Sequence, residues 1–337
     1  MIKEYEDIPL VGRNTFGVEA RAERLIEYTG IDDLKELSAR EAFGGRWMVL
    51  AGGSNTLFTE DFAGTLLHPA GSGITVVGES ADGVRVRVDA GTVWDDFTRW
   101  SVDNGLWGVE NLSGIPGLAG AAPVQNIGAY GVEAGHRVAA VHTYLPAEGT
   151  ELTVAGTHCS FGYRTSVFKG YMKGRAIVTA VDFDLGRTPA PNTGYGDLGR
   201  LTEEFGGPTL ANIRRAVLHI RDSKLPDPAV TGNAGSFFKN PVVAQEVADR
   251  LLREHPGMPT YPAPEPGRVK LAAGWLIDRC GWKGRRQGNA GVHDRQALVL
   301  VNLGGATGRE VAELARAIAD DVHGRFGITI EPEVEIL

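Results

Sequence analysis

Apolar and polar positions follow two periods along this chain. Val84, Val86 and Val88 alternate with Arg85 and Arg87, which predicts a strand with one buried and one solvated face. Ile177, Thr179, Val181, Phe183 and Leu185 repeat that pattern. Val138 to Leu145 and Glu151 to Val154 predict a hairpin turning at Glu148-Gly149. Helical spacing runs from Asp32 to Ala42, and a shorter helical pattern passes through Leu25 and Ile26. From Thr92 to Asn104 it gathers Val93, Phe97 and Trp100 on one face, with Thr92 as the cap and Asp95 three residues on. Thr209 to Ile220 places Leu210, Ile213, Val217 and Ile220 together, and Val242 to Glu254 is a further helix. The clearest helix is Thr307 to Phe326, with Thr307 and Glu310 as a capping box and a stripe of Val311, Leu314, Ala315, Ile318 and Val322. The proline-rich Tyr261 to Gly267 reads as loop, and Trp94, Trp100 and Trp107 read as core. An αβ unit, a β-rich stretch and a distal helical region together give an α+β fold of several domains.

Two stretches fit neither period. Ser113 to Gly131, SGIPGLAGAAPVQNIGAYG, holds five glycines and two prolines from Gly114 onward and no charge. It is too broken for a helix or strand and too apolar for a solvated loop. Either it is a buried turn between core strands, or it is moulded around something large and planar. The second stretch is Leu50 to Phe58, where an apolar run ends in Gly52-Gly53-Ser54-Asn55. Consecutive small residues can form a backbone N–H nest for phosphate, to which Ser54 and Asn55 add side-chain donors. A hairpin turn has the same appearance.

Composition narrows the choice. At 337 residues the chain has room for two or three domains, and 42% hydrophobic with 23% charged residues is ordinary for a soluble protein. Its 46 glycines exceed the usual share of ~7% and are spread throughout, which points to many close backbone approaches. A net charge of −8 argues against general nucleic-acid binding, and makes a backbone nest an economical phosphate site. No apolar run reaches the ~18 residues of a membrane span, and MIKEYEDIPL has no signal core. Cys159 and Cys280 stand far apart, which suits a reducing cytoplasm and gives no metal-ligand cluster.

Further motifs carry chemistry. Phe161 to Lys169 reads FGYRTSVFK. Gly194 to Gly199 formally satisfies GxGxxG, but no apolar strand precedes it, so the dinucleotide reading fails. Arg221 to Pro228, RDSKLPDP, reads as a basic turn and hinge. Gly232 to Pro241, GNAGSFFKNP, holds Ser236 outside any hydrolase-like setting. From Arg268 to Arg295 seven Lys/Arg face Asp278 and Asp294, which fits a solvated face, a nucleic-acid surface or a diphosphate pocket. Glu331 and Glu333 flank Pro332 near the end, where an edge-strand charge is the plain explanation.

In this order the motifs resemble the UDP-N-acetylenolpyruvoylglucosamine reductase family, from Asn14-Thr15-Phe16-Gly17 to Glu333. The complete FGYRxSxFK string, GNAGSFFKNP, KLAAGWLID and VHDRQALVL carry the resemblance. It implies a three-domain flavoprotein, with 1–70 plus 328–337 and 71–222 forming the FAD-binding module and 223–327 binding a UDP-sugar. It also implies NADPH as hydride donor, UDP-N-acetylglucosamine enolpyruvate as substrate, and a cytoplasmic monomer without metal, nucleic-acid or membrane partners. The resemblance gives Arg164, Ser236 and Glu333 catalytic roles. It gives Gly52, Gly53, Ser54, Asn55, Gly117, Gly120, Gln125, Asn126 and Gly128 to the cofactor. Tyr163, Tyr195, Lys224, Asn240, Lys283 and Gln296 fall to the substrate, with Tyr195 on the loop of the family's longer type. One departure is Ala121-Ala122, where relatives can carry serines, so a hydroxyl bond to flavin is lost. A flavin-dependent oxidase of similar fold is the alternative enzyme, and a nucleotide-sugar-binding module the alternative without catalysis.

Overall fold

In the computed structural model, which describes residues 1–263 and 265–337, the alternating valines form the strand Gly83–Asp89 of a five-stranded antiparallel sheet. The order is Thr150–Ala155, Val138–Leu145, Ile177–Gly186, Gly83–Asp89 and Ile74–Glu79. Register explains the two faces. Val84, Val86 and Val88 stand opposite Leu185, Phe183 and Val181, and all six are buried. The intervening residues point the other way. There Arg85 forks onto Asp184 at 2.7 and 2.8 Å, and Arg87 onto Asp182 at 2.7 and 3.0 Å. A slip of one residue would send these charges into the core, so apolar and charged patterns specify the same pairing. The helix Trp94–Asp103 covers the apolar face, its Trp94 and Phe97 rings 5.7 and 4.9 Å from Phe183. Leu112, Ala119, Ala122 and Ile127 join this buried cluster, so the glycine-rich stretch is built onto the same core.

The chain divides into two compact units. The first comprises Met1–Ile8, Ala22–Gly52 and Ala63–Ser223; the second comprises Pro9–Arg21, Gly53–Phe62 and Lys224–Leu337. Besides the large sheet, the first contains a four-stranded sheet ordered Lys3–Pro9, Arg21–Tyr28, Phe62–Pro69 and Trp47–Val49. Leu34 and Leu37 of the helix Ile31–Ala39 pack there with Ile26, Tyr28 and Leu67.

Several elements differ from the sequence expectation. Leu25 and Ile26 lie in the strand Arg21–Tyr28, not a helix. Both are fully buried, and a strand flanked by partners on either side shows an apolar run instead of alternation. Thr92 does not cap its helix, whose cap position is Val93; its hydroxyl instead bonds the Gly73 N–H and C=O, each at 3.1 Å. Val242–Ala244 is a strand paired with Arg268–Leu271, and the helix begins only at Gln245. Thr260–Pro262 pairs with that same strand, so the expected loop at Tyr261 starts later; its residue 264 lies outside the described residues. The Arg221 to Lys224 turn is helical, as the end of Leu210–Lys224.

The second unit carries an antiparallel sheet ordered Gly232–Ser236, Val299–Asn302, Ala290–Val292 and Arg286–Gln287. The helix Gly308–Phe326 lies against its two middle strands. The expected capping box forms, with Glu310 N donating to Thr307 Oγ1 at 3.2 Å and Thr307 N donating to Glu310 at 2.8 Å. Gly327 ends the helix at φ 68°. Val311, Leu314, Ile318 and Val322 are fully buried, each contributing roughly 1.5–3 kcal/mol.

Two expectations follow from the packing. An ideal Cβ on Gly308 would sit 1.7 Å from the Phe58 carbonyl oxygen. Helix propensity favours alanine over glycine by roughly 1 kcal/mol, but displacing backbone in a packed site costs about 1–3 kcal/mol. Gly308→Ala should therefore lower the urea midpoint; an unchanged or higher midpoint would show that the Phe58 segment yields freely. The second expectation concerns Asp95, which accepts bonds from Arg214 (2.7 and 2.7 Å), Thr98 Oγ1 (3.0 Å) and Gly114 N (2.6 Å). Burial pushes its pKa up, yet these donors outweigh it and hold the carboxyl at about 2. Because this lies below the ordinary value of ~3.9, the stabilisation is complete above that pH and is lost as pH falls through 2. The stability gap between wild type and Asp95→Asn should accordingly shrink from pH 5 to pH 2 in urea titrations; a constant gap would contradict the depressed pKa.

Candidate active site

Glycine decides the local geometry of the first unit. The Ser113 to Gly131 stretch is irregular apart from a 3-10 turn at Ala119–Ala121 and the small ladder of Gly128–Ala129 with Val132–Glu133. Its backbone is tied to the connection ahead of the Trp94 helix. Trp94 N donates to Gly117 O at 3.0 Å, Ala119 N to Thr92 O at 2.8 Å and Gly120 N to Ala90 O at 3.0 Å. An ideal Cβ on Gly120 would meet Ala90 Cβ at 2.6 Å, so a side chain there would force the loop off its support. Gly117 adopts φ 122°, and an ideal Cβ on Gly52 would lie 3.2 Å from Gly117 Cα. The two glycine-rich stretches singled out in the sequence thus meet backbone to backbone.

The FGYRTSVFK motif is fastened to the same loop. Gly162 and Thr165 exchange backbone bonds at 3.1 and 3.2 Å, which leaves Tyr163 and Arg164 at the tip of a tight turn, Arg164 with φ 58°. Arg164 Nη2 donates to Gly128 O at 2.7 Å, Asn126 Nδ2 to Gly162 O at 3.0 Å and Ser166 Oγ to Val124 O at 2.6 Å. Asn126 also donates to Glu133 at 2.8 Å and accepts from Gly135 N at 2.8 Å. Its buried amide therefore holds the loop together, while Gln125 is half-buried. Holding one Nη on a carbonyl fixes the plane of the Arg164 guanidinium, a requirement for bidentate carboxylate recognition. The Tyr195 ring, 43% exposed, stands edge-on to Tyr130 at 6.0 Å. Asn111, fully buried, donates to both Tyr130 O (2.9 Å) and Asn192 O (2.8 Å), so it joins the glycine loop to the tyrosine loop. Sequence reasoning missed Asn111; its one signal is a lone amide in the apolar approach to the glycines.

In the second unit, Gly53 is buried at φ 60°, and an ideal Cβ would lie 2.1 Å from Arg13 O. Thr15 N donates to Gly53 O at 3.2 Å, so the Asn14 to Gly17 turn supports the start of the Gly53-Ser54-Asn55 segment. Ser236 ends the strand Gly232–Ser236 opposite Val299. Beyond it the chain runs antiparallel to the C-terminal segment, with Glu333 N donating to Phe237 O at 2.7 Å and Lys239 N to Glu331 O at 3.0 Å. Glu333 therefore stands across from the residue next to Ser236. Asn55 Nδ2 donates to Glu333 O at 3.2 Å, and Glu335 N to Asn55 O at 2.9 Å. Ser236, Glu333 and Asn55 are brought together by backbone pairing, over the buried rings of Phe16, Phe237 and Phe238.

Asn240 Oδ1 accepts from Ala273 N at 2.9 Å at the start of the helix Ala273–Arg279. Gln296 Oε1 lies 3.2 Å from an ideal Cβ on Gly274. Lys283 is exposed, 3.9 Å from Asp278, and its neighbour Gly284 lies against Asp294, so the Lys283 and Gln296 turns are adjacent. Lys224 is the exposed last residue of its helix. Arg164 belongs to the first unit, and Ser236 and Glu333 to the second. An open groove of about 500 Å³, lined by Arg99, Arg214, Leu218 and Asp222 among others, contains none of these residues. Arg99 and Arg214 there are already paired with Asp96 and Asp95, so we place no chemistry in it. Among the described residues no group of three or more His, Cys, Asp or Glu is arranged for a metal, and no helix is long and apolar enough to cross a membrane.

Known proteins share this layout. Residues 26–161 match the FAD binding domain, and residues 227–337 match the C-terminal domain of UDP-N-acetylenolpyruvoylglucosamine reductase. The reductase of Chromobacterium violaceum is 49% identical over 335 residues, covering 98% of each chain. That of Bacteroides fragilis strain YCH46 is 46% identical over 328 residues, covering 97% of this chain and 98% of its own. The crystal structure of the reductase (MurB) from Thermus caldophilus superposes with a TM-score of 0.69 at 25% identity, over 100% of this chain and 98% of that one. With its α+β architecture and its FAD-binding domain, the chain belongs to the UDP-N-acetylenolpyruvoylglucosamine reductase family.

Proposed function

We propose that this protein reduces UDP-N-acetylglucosamine enolpyruvate to UDP-N-acetylmuramate in peptidoglycan precursor synthesis, with FAD as cofactor and NADPH as hydride donor. The observation that carries the reading is the backbone pairing that sets Glu333 beside Ser236 and ties both to Asn55. A general acid and a carboxyl group are thereby held on paired strands, not on independent loops. The glycine surface fits a flavin. Gly52 and Gly117 touch through their backbones and Gly120 is closed against Ala90, so these positions present peptide edges without side chains. On this reading Gly52, Gly53, Ser54 and Asn55 hold the diphosphate, and Gly117, Gly120, Gln125, Asn126 and Gly128 border the ring system. Asn126 contributes by shaping that border, since its own amide is engaged by protein groups.

When bound, the cofactor supplies hydride transfer, from NADPH to the terminal vinyl carbon of the enolpyruvyl ether. Negative charge then develops at the carbon beside the substrate carboxylate and spreads into it. Stabilising that dianion is the task of pre-oriented cations and donors. Arg164 meets the carboxylate with its fork, in a plane set by its bond to Gly128. Ser236 then gives its hydroxyl proton to the carbanionic carbon. A hydroxyl is a weak acid, but this carbon is a strong base, so no activating histidine is needed. Glu333 beside a carboxylate is either protonated or bridged through a donor, because like charges repel. Tyr195, Lys224, Asn240, Lys283 and Gln296 hold the UDP moiety, and Tyr163 shapes the pocket. In domain terms, 223–327 takes the UDP-sugar, while 1–70 with 328–337 and 71–222 take the flavin.

Stopped-flow spectroscopy separates the half-reactions. Ser236→Ala should leave bleaching of the flavin by NADPH intact and slow its return on adding enolpyruvyl substrate by several orders of magnitude. Equal slowing of both phases would remove the proton-donor role. Arg164→Lys should stay severely impaired in the second phase, because an ammonium cannot replace the two-point contact; turnover near wild type would dismiss the clamp.

A further inference from the structure

Arg221 lies near the end of the helix Leu210–Lys224, and the geometry leaves its charge unanswered. Among the described residues no hydrogen bond or ion pair reaches its guanidinium. Asp95, a carboxylate whose charge acts on it, is already held by both Nη atoms of Arg214 at 2.7 Å. The other charged or titratable groups acting on it are Tyr130 and Asp222. Burial moves the Arg221 pKa down and the Tyr130 pKa up, so both sit where water is scarce. A guanidinium remains protonated regardless. A buried cation without a partner is destabilising, and the fold offers this one no counter-ion.

Its surroundings show where an anion would arrive. The start of the glycine loop presses on Arg221: an ideal Cβ on Gly114 would lie 3.2 Å from both its Cδ and Nε. At the other end of that loop is Tyr130, at φ 49°, whose ring meets the Tyr195 ring edge-on. Asn111 bonds the backbone of both loops. Arg221 thus belongs to the junction of the glycine loop and the tyrosine loop.

We propose that Arg221 is a positioning residue that receives a phosphate oxygen of the nucleotide ligand reaching the Tyr130–Tyr195 edge. This rests on the reading above, in which Arg164 takes the only carboxylate of the substrate, so the anions left for Arg221 are phosphates. They come from two sources, the UDP-sugar and the dinucleotide. Arg221 touches no reacting atom, so its loss acts on binding.

The test uses the FAD-loaded enzyme, oxidised and without hydride donor, so that nothing turns over. Calorimetric titrations with UDP-N-acetylglucosamine enolpyruvate and with NADP⁺ compare wild type, Arg221→Met and Arg221→Lys. Arg221→Met should weaken at least one ligand by roughly 10- to 100-fold, the loss expected for a charged hydrogen bond. Loss confined to the sugar nucleotide, or to NADP⁺, identifies the source; loss of both assigns one phosphate subsite to both ligands. Arg221→Lys should recover part of the affinity. Without ligand, Arg221→Met should melt at or above the wild-type temperature, because an unpaired charge has been removed. Binding of both ligands to Arg221→Met within twofold of wild type overturns the proposal. A ligand-free melting temperature several degrees below wild type also overturns it, since the arginine would then be structural. Wild type binding neither ligand overturns the proposed function itself, and this inference with it.

Discussion

The approach of Gly52 to Gly117 constrains everything around it. With an ideal Cβ only 3.2 Å from the opposite Cα, the two peptide chains are in contact, and a methyl group would begin to part them. That contact is held from below. The loop hangs by backbone bonds from Ala90, Thr92 and Trp94, and Trp94 is pinned by its ring against Phe183 in the sheet. The loop's height over the core is therefore set by helix-on-sheet packing, not by the loop's own composition. Arg164 inherits this position through Gly128, so a change in the core near Phe183 would be felt at the guanidinium.

Irregular, glycine-rich backbone leaves N–H and C=O groups without ladder partners, and burying them unpaired is costly. This protein answers with buried asparagines. Asn14 bonds Leu10 O and Val18 O, Asn111 bonds Tyr130 O and Asn192 O, and Asn126 bonds Gly162 O and Gly135 N. Asn233 bonds Pro226 O, Thr231 O and Gly235 N, and Asn302 bonds Phe16 O, Gly304 N and Ala306 N. A carboxamide carries donor and acceptor at once, so one side chain closes two or three loop groups without adding charge. Aspartate in these places would keep the acceptors and lose the donors.

How legible this was depends on whether the governing interaction is local. The Thr307 helix could be read in full, because its cap, stripe and glycine terminator all lie within its own sequence. The strand Gly83–Asp89 was equally plain, since one face meets Phe183 and the other meets charge. Leu25 and Ile26 were misread because a strand covered on both faces loses its period of two, and the partners that cover it come from other parts of the chain. Thr92 was misread because its hydroxyl found Gly73 before it could find its own helix. The glycine stretches announced themselves by composition, but not their contact, which exists only once both are folded. Ser236 and Glu333 are nearly a hundred residues apart, so no spacing rule joins them; the pairing of Phe237 with Glu333 does. Asn111 had no signal beyond being polar among apolar neighbours.

Charge separates what the fold keeps for itself from what it leaves open. On the outer face of the large sheet, Arg85 and Arg87 are answered by Asp184 and Asp182, and Arg214 is answered by Asp95. In each case the carboxylate belongs to a different element, so the pair reports a finished contact. One turn and three residues further along the helix from Arg214, Arg221 has the same chemistry and more burial but no such partner. Stability alone would replace that arginine with an apolar residue of similar volume. Its retention beside Gly114, a glycine whose missing side chain gives it room, follows if the missing partner arrives from outside the protein. Two arginines on one helix are thus distinguished by one fact: whether the folded chain already supplies the anion.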